Sequence, residues 1–331
     1  MPDTKNETPK LFDAFQDNNF GRDRCFLCGK KLNSQNQSDE HVFPKWLQER
    51  FNLWDKELIL LNGTSIPYRQ LKIPCCKTCN GEYLSTIERR VCEASKSNAQ
   101  EVRGLGKEVL FQWLGKIFYG LLYKEFLLPL KRSKPSEGPI VPENLLEKYK
   151  LHHLFLQSTR LSMDFNQFPA SIFVFDLQKV EDEINYNFRD DFNLMTISIR
   201  LGKVGIIAGL QDGSTQEKIF KDYFEKLYDI DLHVLQYNEL IAKFFYKTYL
   251  MNRVPKYTIS GTDDHVQVFQ LPLRGMSKSS IYNDWNQREY ASFLSQISGY
   301  PFEELFYPPD KTISWIYNEE GELRVMDQNE G

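Results

Sequence analysis

Two short cysteine pairs, Cys25-Phe-Leu-Cys28 and Cys76-Lys-Thr-Cys79, carry the clearest chemistry in the chain. A gap of two residues lets both sulfurs of a pair turn toward one ion. Together the pairs supply four thiolates for a tetrahedral zinc, at about 2.3 Å each. Gly29 follows the first pair and suits the tight turn of a zinc knuckle. Lys30 and Lys31 would offset part of the thiolate charge. The 47 residues between the pairs are long for a simple finger, so a folded segment must lie between them. Cys75 adjoins Cys76 and could replace it, although the paired spacing favours Cys76. Cys92 reads as a core thiol.

Between the pairs stands Ser38-Asp39-Glu40-His41-Val42-Phe43-Pro44-Lys45-Trp46-Leu47, and the second pair runs on into Asn80-Gly81-Glu82-Tyr83-Leu84-Ser85. From Cys25 to about Glu88 the chain resembles the cysteine-bearing branch of the HNH endonuclease family. That branch orders a CxxC, an acidic residue followed by His, a Pro and a CxxCN. The resemblance implies a ββα-metal fold, in which a strand pair and a helix grip one divalent ion. It gives Glu40 the place of the acidic metal ligand, and a carboxylate oxygen suits magnesium or manganese. It gives His41 the place of the general base, an imidazole of ordinary pKa about 6.5 that accepts a proton near neutral pH. Asn80 takes the place of the second metal ligand at the start of the final helix, where an Asn also serves as a cap. Adjacent residues of a strand point to opposite faces, so local bending must bring Glu40 and His41 to one site.

Three departures from the family pattern follow. The stretch Tyr68 to Pro74 lacks the Asn that orients the base, and Gln70 or a backbone carbonyl would have to substitute. Glu40 stands where Asp is usual. Leu84 occupies the position at which many relatives carry a further His. Glu88 lies eight residues after Asn80, about 12 Å along a helix at 1.5 Å per residue, too far to share an ion with Asn80 unless the helix begins late.

Other candidates have plainer readings. Arg89, Arg90 and Lys45 could contact phosphates but read first as a wetted surface, and Trp46 reads as core. His152-His153 sits in an apolar helical stretch and reads as packing or surface. Asp263-Asp264-His265 reads as a turn before a strand.

The elements that must position these residues follow from periodicity. KWLQERF after Pro44 reads as a short helix. Between about Gln100 and Leu130, apolar residues at Val109, Leu110, Trp113, Leu114, Ile117 and Phe118 recur at helical intervals. That helix is apolar around much of its girth, so it should be buried between layers, with Pro129 ending it. KRSKPSEGPIVPEN reads as a linker, followed by a helix from Glu143 to about Leu161. SIFVFDL, FNLMTISIRL and VGIIAGL read as strands, the last two joined by a hairpin at LGKVG. Two helices, QEKIFKDYFEKLYDI and LQYNELIAKFFYKTYLMNRV, then a strand VQVFQLPL and a helix NQREYASFLSQISG stopped by Gly299, complete the chain.

The expected fold class is α+β. A flexible arm spans residues 1–20, and an HNH-like, treble-clef-like zinc module spans 21–95. A helical segment spans 96–165, and a mixed α+β domain of unread role spans 166–331. The 331 residues are 41% hydrophobic, enough for two cores. A formal net charge of -4 argues against a surface coated with positive charge, but leaves room for a local basic groove. No run of about 20 apolar residues appears, so no membrane span is expected. The polar N-terminus lacks a secretion signal, and the cysteine spacing fits metal binding in a reducing cytosol, which predicts a cytoplasmic location.

The leading expectation is a divalent-metal-dependent endonuclease that hydrolyses phosphodiester bonds in nucleic acid, DNA ahead of RNA. Zinc would be structural, magnesium or manganese catalytic, and a ligand or protein partner of the C-terminal region would govern the module. Such chains resemble mobile-element or phage-defence effectors. The alternative is a non-catalytic, zinc-dependent module that binds nucleic acid or protein, with a ligand-sensing C-terminal domain.

Overall fold

The computed structural model describes residues 10–15, 21–126, 128, 143–179, 185–262, 265–274 and 278–326. Most of the expected arm and linker, Pro129, Asp263-Asp264 and the final residues lie outside them. The chain is mixed α+β, and its described residues form two compact units. The first takes those within 1–93, 107–166 and 258–269; the second takes those within 94–106, 167–257 and 270–331. Among the described residues no helix is long and apolar enough to cross a membrane.

In the first unit, strand β1 (Gln37–His41) is followed by Pro44, whose fixed φ and missing N–H suit a helix start, and then by α1 (Lys45–Arg50). Part of the gap between the cysteine pairs is filled by a hairpin of β2 (Glu57–Ile59) and β3 (Ser65–Pro67) and a 3₁₀ turn over Tyr68–Gln70. Strand β4 (Lys72–Cys76) then returns antiparallel to β1, with Glu40 opposite Ile73 and His41 opposite Lys72. The chain leaves β4 through a wide π turn, Cys79–Leu84, that runs directly into α2 (Ser85–Ala94). The helix therefore begins at the second cysteine pair. After α3 (Ala99–Gly104), which belongs to the second unit, comes α4 (Lys107–Phe126), buried along nearly its whole length as its all-round apolar sequence requires.

Helix α5 (Glu143–Leu156) packs on α4. His152 and His153 are both buried, and their Nε2 atoms pair with the carbonyls of Gly115 and Phe26 at 3.0 and 2.8 Å. Burial pushes both imidazoles down to about 4. Residues 10–15 of the expected arm also join this packing: Phe12 sits edge-on to His153, and Asp13 pairs with Lys150 at 3.0 Å. Two glycines let α4 approach its neighbours. A Cβ on Gly120 would come 2.7 Å from Val42, the residue after His41, and one on Gly115 would come 3.2 Å from His152.

Strand β5 (Ser162–Phe165) closes this segment. The second unit is built on a four-stranded antiparallel sheet of β6 (Ser171–Asp176), β7 (Tyr186–Asp191), β8 (Thr196–Leu201) and β9 (Val204–Gly209), in the order β6-β9-β8-β7. The expected hairpin joins β8 to β9, with Gly202 at φ +65°. Helices α6 (Thr215–Phe224) and α7 (Val234–Tyr249) supply an aromatic core with Phe173, Phe175, Phe224 and Phe244. Later in sequence the chain returns to the first unit, where β10 (Tyr257–Gly261) and β11 (His265–Gln270) form a sheet with β5, which runs parallel to β11. Helix α8 (Gln287–Ser298) ends at Gly299, whose φ of +81° is the left-handed stop expected there.

Two outcomes follow from the packing around α4. Gly120→Ala should lower stability by about 1–2 kcal/mol in denaturant melts, because overpacking against Val42 outweighs the helix propensity gained; an unchanged midpoint would show that Val42 yields freely. Imidazole NMR titrations should keep His152 and His153 neutral to near pH 4. Their folded pKa values lie below the unfolded 6.5, so the stability they contribute is intact above about pH 6.5 and is lost as pH falls toward 4. Midpoints near 6.5 would contradict their burial.

Candidate functional site

The site has two centres, both in the first unit. The knuckle of the first cysteine pair turns at Gly29, where φ is +71° and the N–H donates to the Cys25 carbonyl at 2.9 Å. The Phe26 N–H donates to the Pro74 carbonyl at 2.9 Å, which fastens the knuckle to β4. The second pair bridges the end of β4 and the start of the wide turn, and the Cys79 N–H donates to Cys76 Sγ at 3.4 Å. The four sulfurs of Cys25, Cys28, Cys76 and Cys79 lie within 4.8 Å of one another, with Cys28 and Cys76 3.8 Å apart. Tetrahedral zinc with bonds of about 2.3 Å sets sulfurs about 3.8 Å apart, so the set is compatible with structural zinc. Cys75 Sγ is 3.9 Å from Cys25 Sγ, which leaves it beside the set of four rather than in it.

Neighbouring sulfurs, Cys25 first, push Cys28 and Cys79 upward and push Cys76 down. Four thiolates so close require positive charge among them. Lys30 and Lys31 are exposed; the buried cation of this centre is Arg160. Its Nε donates to the Leu27 carbonyl at 3.2 Å, and its Nη2 to Gln157 at 2.7 Å and to the Lys10 carbonyl. Burial lowers the Arg160 pKa, while Cys28, Cys79 and Cys25 favour its charge. Cys92 is apart from this set and takes Arg50 at its sulfur, at 3.2 Å.

The second centre is the end of β1. Glu40 and His41 are both buried, at 4% and 8% exposure. Lys116, from the middle of α4 and 1% exposed, reaches this end of the strand. Its ammonium stands 2.8 Å from Glu40 Oε1 and 2.7 Å from Glu88 Oε1, and donates to the carbonyls of His41 and Val42 at 2.9 and 3.1 Å. Burial works against a charged lysine here, yet Glu40 and Glu88 outweigh it and hold its pKa above the ordinary value. Burial pushes Glu40 up to about 7; Lys116 opposes that shift and the like charge of Glu88 adds to it.

His41 sits beside Trp54, ring centroids 6.1 Å apart, and its Nε2 is buried without a hydrogen-bond partner among the described residues. Burial first, then Lys72, Lys45 and Lys116, push its imidazole down to about 4, against Glu88. Gln70 is exposed on the turn before β4. Asn80 turns its amide nitrogen to Ser38 Oγ at 3.1 Å and to the Asp39 carbonyl at 3.3 Å. A carbonyl only accepts, so the nitrogen must face β1, and the side chain staples the helix start to the strand.

The two carboxylates facing Lys116 and the buried ammonium form a closed ion-pair cluster. Sequence spacing paired Glu40 with Asn80 and set Glu88 aside; the fold brings Glu40 and Glu88 onto one cation. Lys116 was missed, although a lone charge between Val109 and Tyr123 of an apolar helix was its signal. Arg160 carried no comparable signal. His265, expected in the turn before the strand, is instead the first residue of β11, and it pairs with Asp164 at 3.3 Å. No family model, curated protein or solved structure matches the chain.

Purified full-length protein should carry one zinc per chain by elemental analysis. Cys76→Ser should lose it and Cys75→Ser should keep it; the opposite pattern would move the fourth ligand to Cys75.

Proposed function

We propose that the first unit is a phosphodiesterase of the HNH type acting on nucleic acid, DNA ahead of RNA, with zinc on Cys25, Cys28, Cys76 and Cys79 as a structural staple. The observation that supports it is the order of the frame. The antiparallel pair β1–β4 is followed at once by the helix that begins at Cys79, and Glu40 and His41 stand at the end of the first strand.

In this reading His41 accepts the proton of the attacking water. Burial and the lysines around it keep the imidazole neutral near pH 7, the form that accepts. Its low proton affinity makes it a weak base alone; a bound phosphate would place negative charge beside it and raise that affinity. Lys72 on β4 and Lys45 on α1 give the site cations to meet such a phosphate. Asn80 holds the start of the helix against β1, and Lys116 holds the backbone on both sides of the His41–Val42 bond. A magnesium or manganese ion on the Glu40 carboxylate would supply the charge that polarises the scissile phosphate.

The test is plasmid nicking and oligonucleotide cleavage with magnesium or manganese. His41→Ala should lower the rate at least about 100-fold with zinc content unchanged. Equal cleavage by that variant would remove His41 as the base. No cleavage of DNA or RNA by the parent protein with either ion would favour a zinc-stapled binding module instead.

A further inference from the structure

We infer that the surface at His41 takes nucleic acid as a single strand, with one base stacked on the Trp54 indole and the flanking phosphates on Lys45 and Lys72. Trp54 stands at the His41 imidazole, ring centroids 6.1 Å and planes 32° apart, and is itself 40% exposed. An indole left partly in water offers a flat face to a base, and stacking on it needs a base that is not already stacked in a duplex. His41 points the same way. It is only 8% exposed, and its Nε2 is buried without a hydrogen-bond partner among the described residues. A thin, flexible strand can reach a group so enclosed, whereas a duplex must first be opened.

The charge around Trp54 and His41 has the sign that phosphates need. Lys72 lies directly opposite His41 in the β1–β4 register, so both side chains leave the same face of the strand pair. Lys45 begins α1 and is exposed. Lys124, half-buried in the last turn of α4, adds a third ammonium: burial, then Arg22 and Lys72, push its pKa down, against Asp39. Among the described residues none of these three lysines forms an ion pair. The acid beside Trp54, Asp55, is taken by Arg69. Cations gathered without counter-ions repel one another, and a strand of phosphates relieves that repulsion.

The inference rests on the proposed nuclease for what His41 does to the strand, not for its binding. The experiment therefore measures binding, on zinc-loaded full-length protein without magnesium or manganese. Fluorescence anisotropy follows labelled DNA and RNA strands of about 12 nucleotides, and the matching DNA duplex. The DNA strand should bind at least about tenfold tighter than the duplex, and the RNA strand within about threefold of the DNA strand, because neither contact reads the sugar. Trp54→Ala should weaken strand binding at least about fivefold and change duplex binding less than about twofold, and Trp54→Phe should restore most of the loss. Lys45→Gln and Lys72→Gln should each lower the slope of log affinity against log salt by about 0.7. Unchanged zinc content in each variant separates a lost contact from a lost fold. Duplex bound as tightly as the strand, strand affinity unchanged in Trp54→Ala, RNA bound to the exclusion of DNA, or salt slopes unchanged in both lysine variants would each overturn the inference. Strand binding as expected without cleavage under magnesium or manganese would defeat the nuclease and leave this surface standing. Cleavage of duplex by Trp54→Ala at the parent rate would do the reverse.

Discussion

One buried ammonium holds the first unit together where its chemistry is proposed to occur. Lys116 enters from α4, meets Glu40 on β1 and Glu88 on α2, and takes the carbonyls of His41 and Val42. Three elements distant in sequence are thereby joined at one atom. Breaking a buried pair by removing one partner typically costs about 3–5 kcal/mol, because the remaining charge is stranded. That constraint explains why α4 passes so close. Gly120 admits Val42 against the helix backbone, and Lys116, four residues earlier and so on the same helix face, reaches the adjoining carbonyls.

The cysteine centre does a different job with the same kind of physics. A metal ion on its four sulfurs would lock the knuckle at residues 25–28 to the junction of β4 and α2. This would fix where that helix begins, and so which helical positions face β1. Arg160 belongs to the centre as much as the sulfurs do, since a four-thiolate zinc carries net negative charge that a buried guanidinium offsets. Both centres are largely buried charge clusters, and in each a cation makes the cluster tolerable. The proposed catalytic group, His41, lies at the second of them and within the frame set by the first.

Much of this was legible in the chain itself, for reasons specific to particular residues. The paired cysteines and Gly29 announce a metal knuckle because few other uses need that spacing. Pro44, the apolar run of α4, the β8–β9 hairpin and the stop at Gly299 follow from local rules of backbone and burial. Strand β7, Tyr-Asn-Phe-Arg-Asp-Asp, was not legible, because its apolar alternation stops at Phe188 and its last three residues are charged. Strand β5 is four residues long, and its partner β11 lies about a hundred residues away. The roles of Glu88, Lys116 and Arg160 depend on tertiary contacts 28 to 150 residues apart, which no local pattern encodes. Asn80 looked like a ligand because of its place after the cysteine pair; its partners are set by how the wide turn at Cys79–Leu84 faces β1.

The central claim is that a metal ion on sulfur sets the frame of β1, β4 and α2. The most direct measurement is an anomalous-difference map from crystals of zinc-loaded protein, with data on both sides of the zinc edge. The account predicts a zinc peak among Cys25, Cys28, Cys76 and Cys79, with Cys75 outside its ligands. Four sulfurs that take no zinc, or a peak held by Cys75 in place of Cys76, would contradict it.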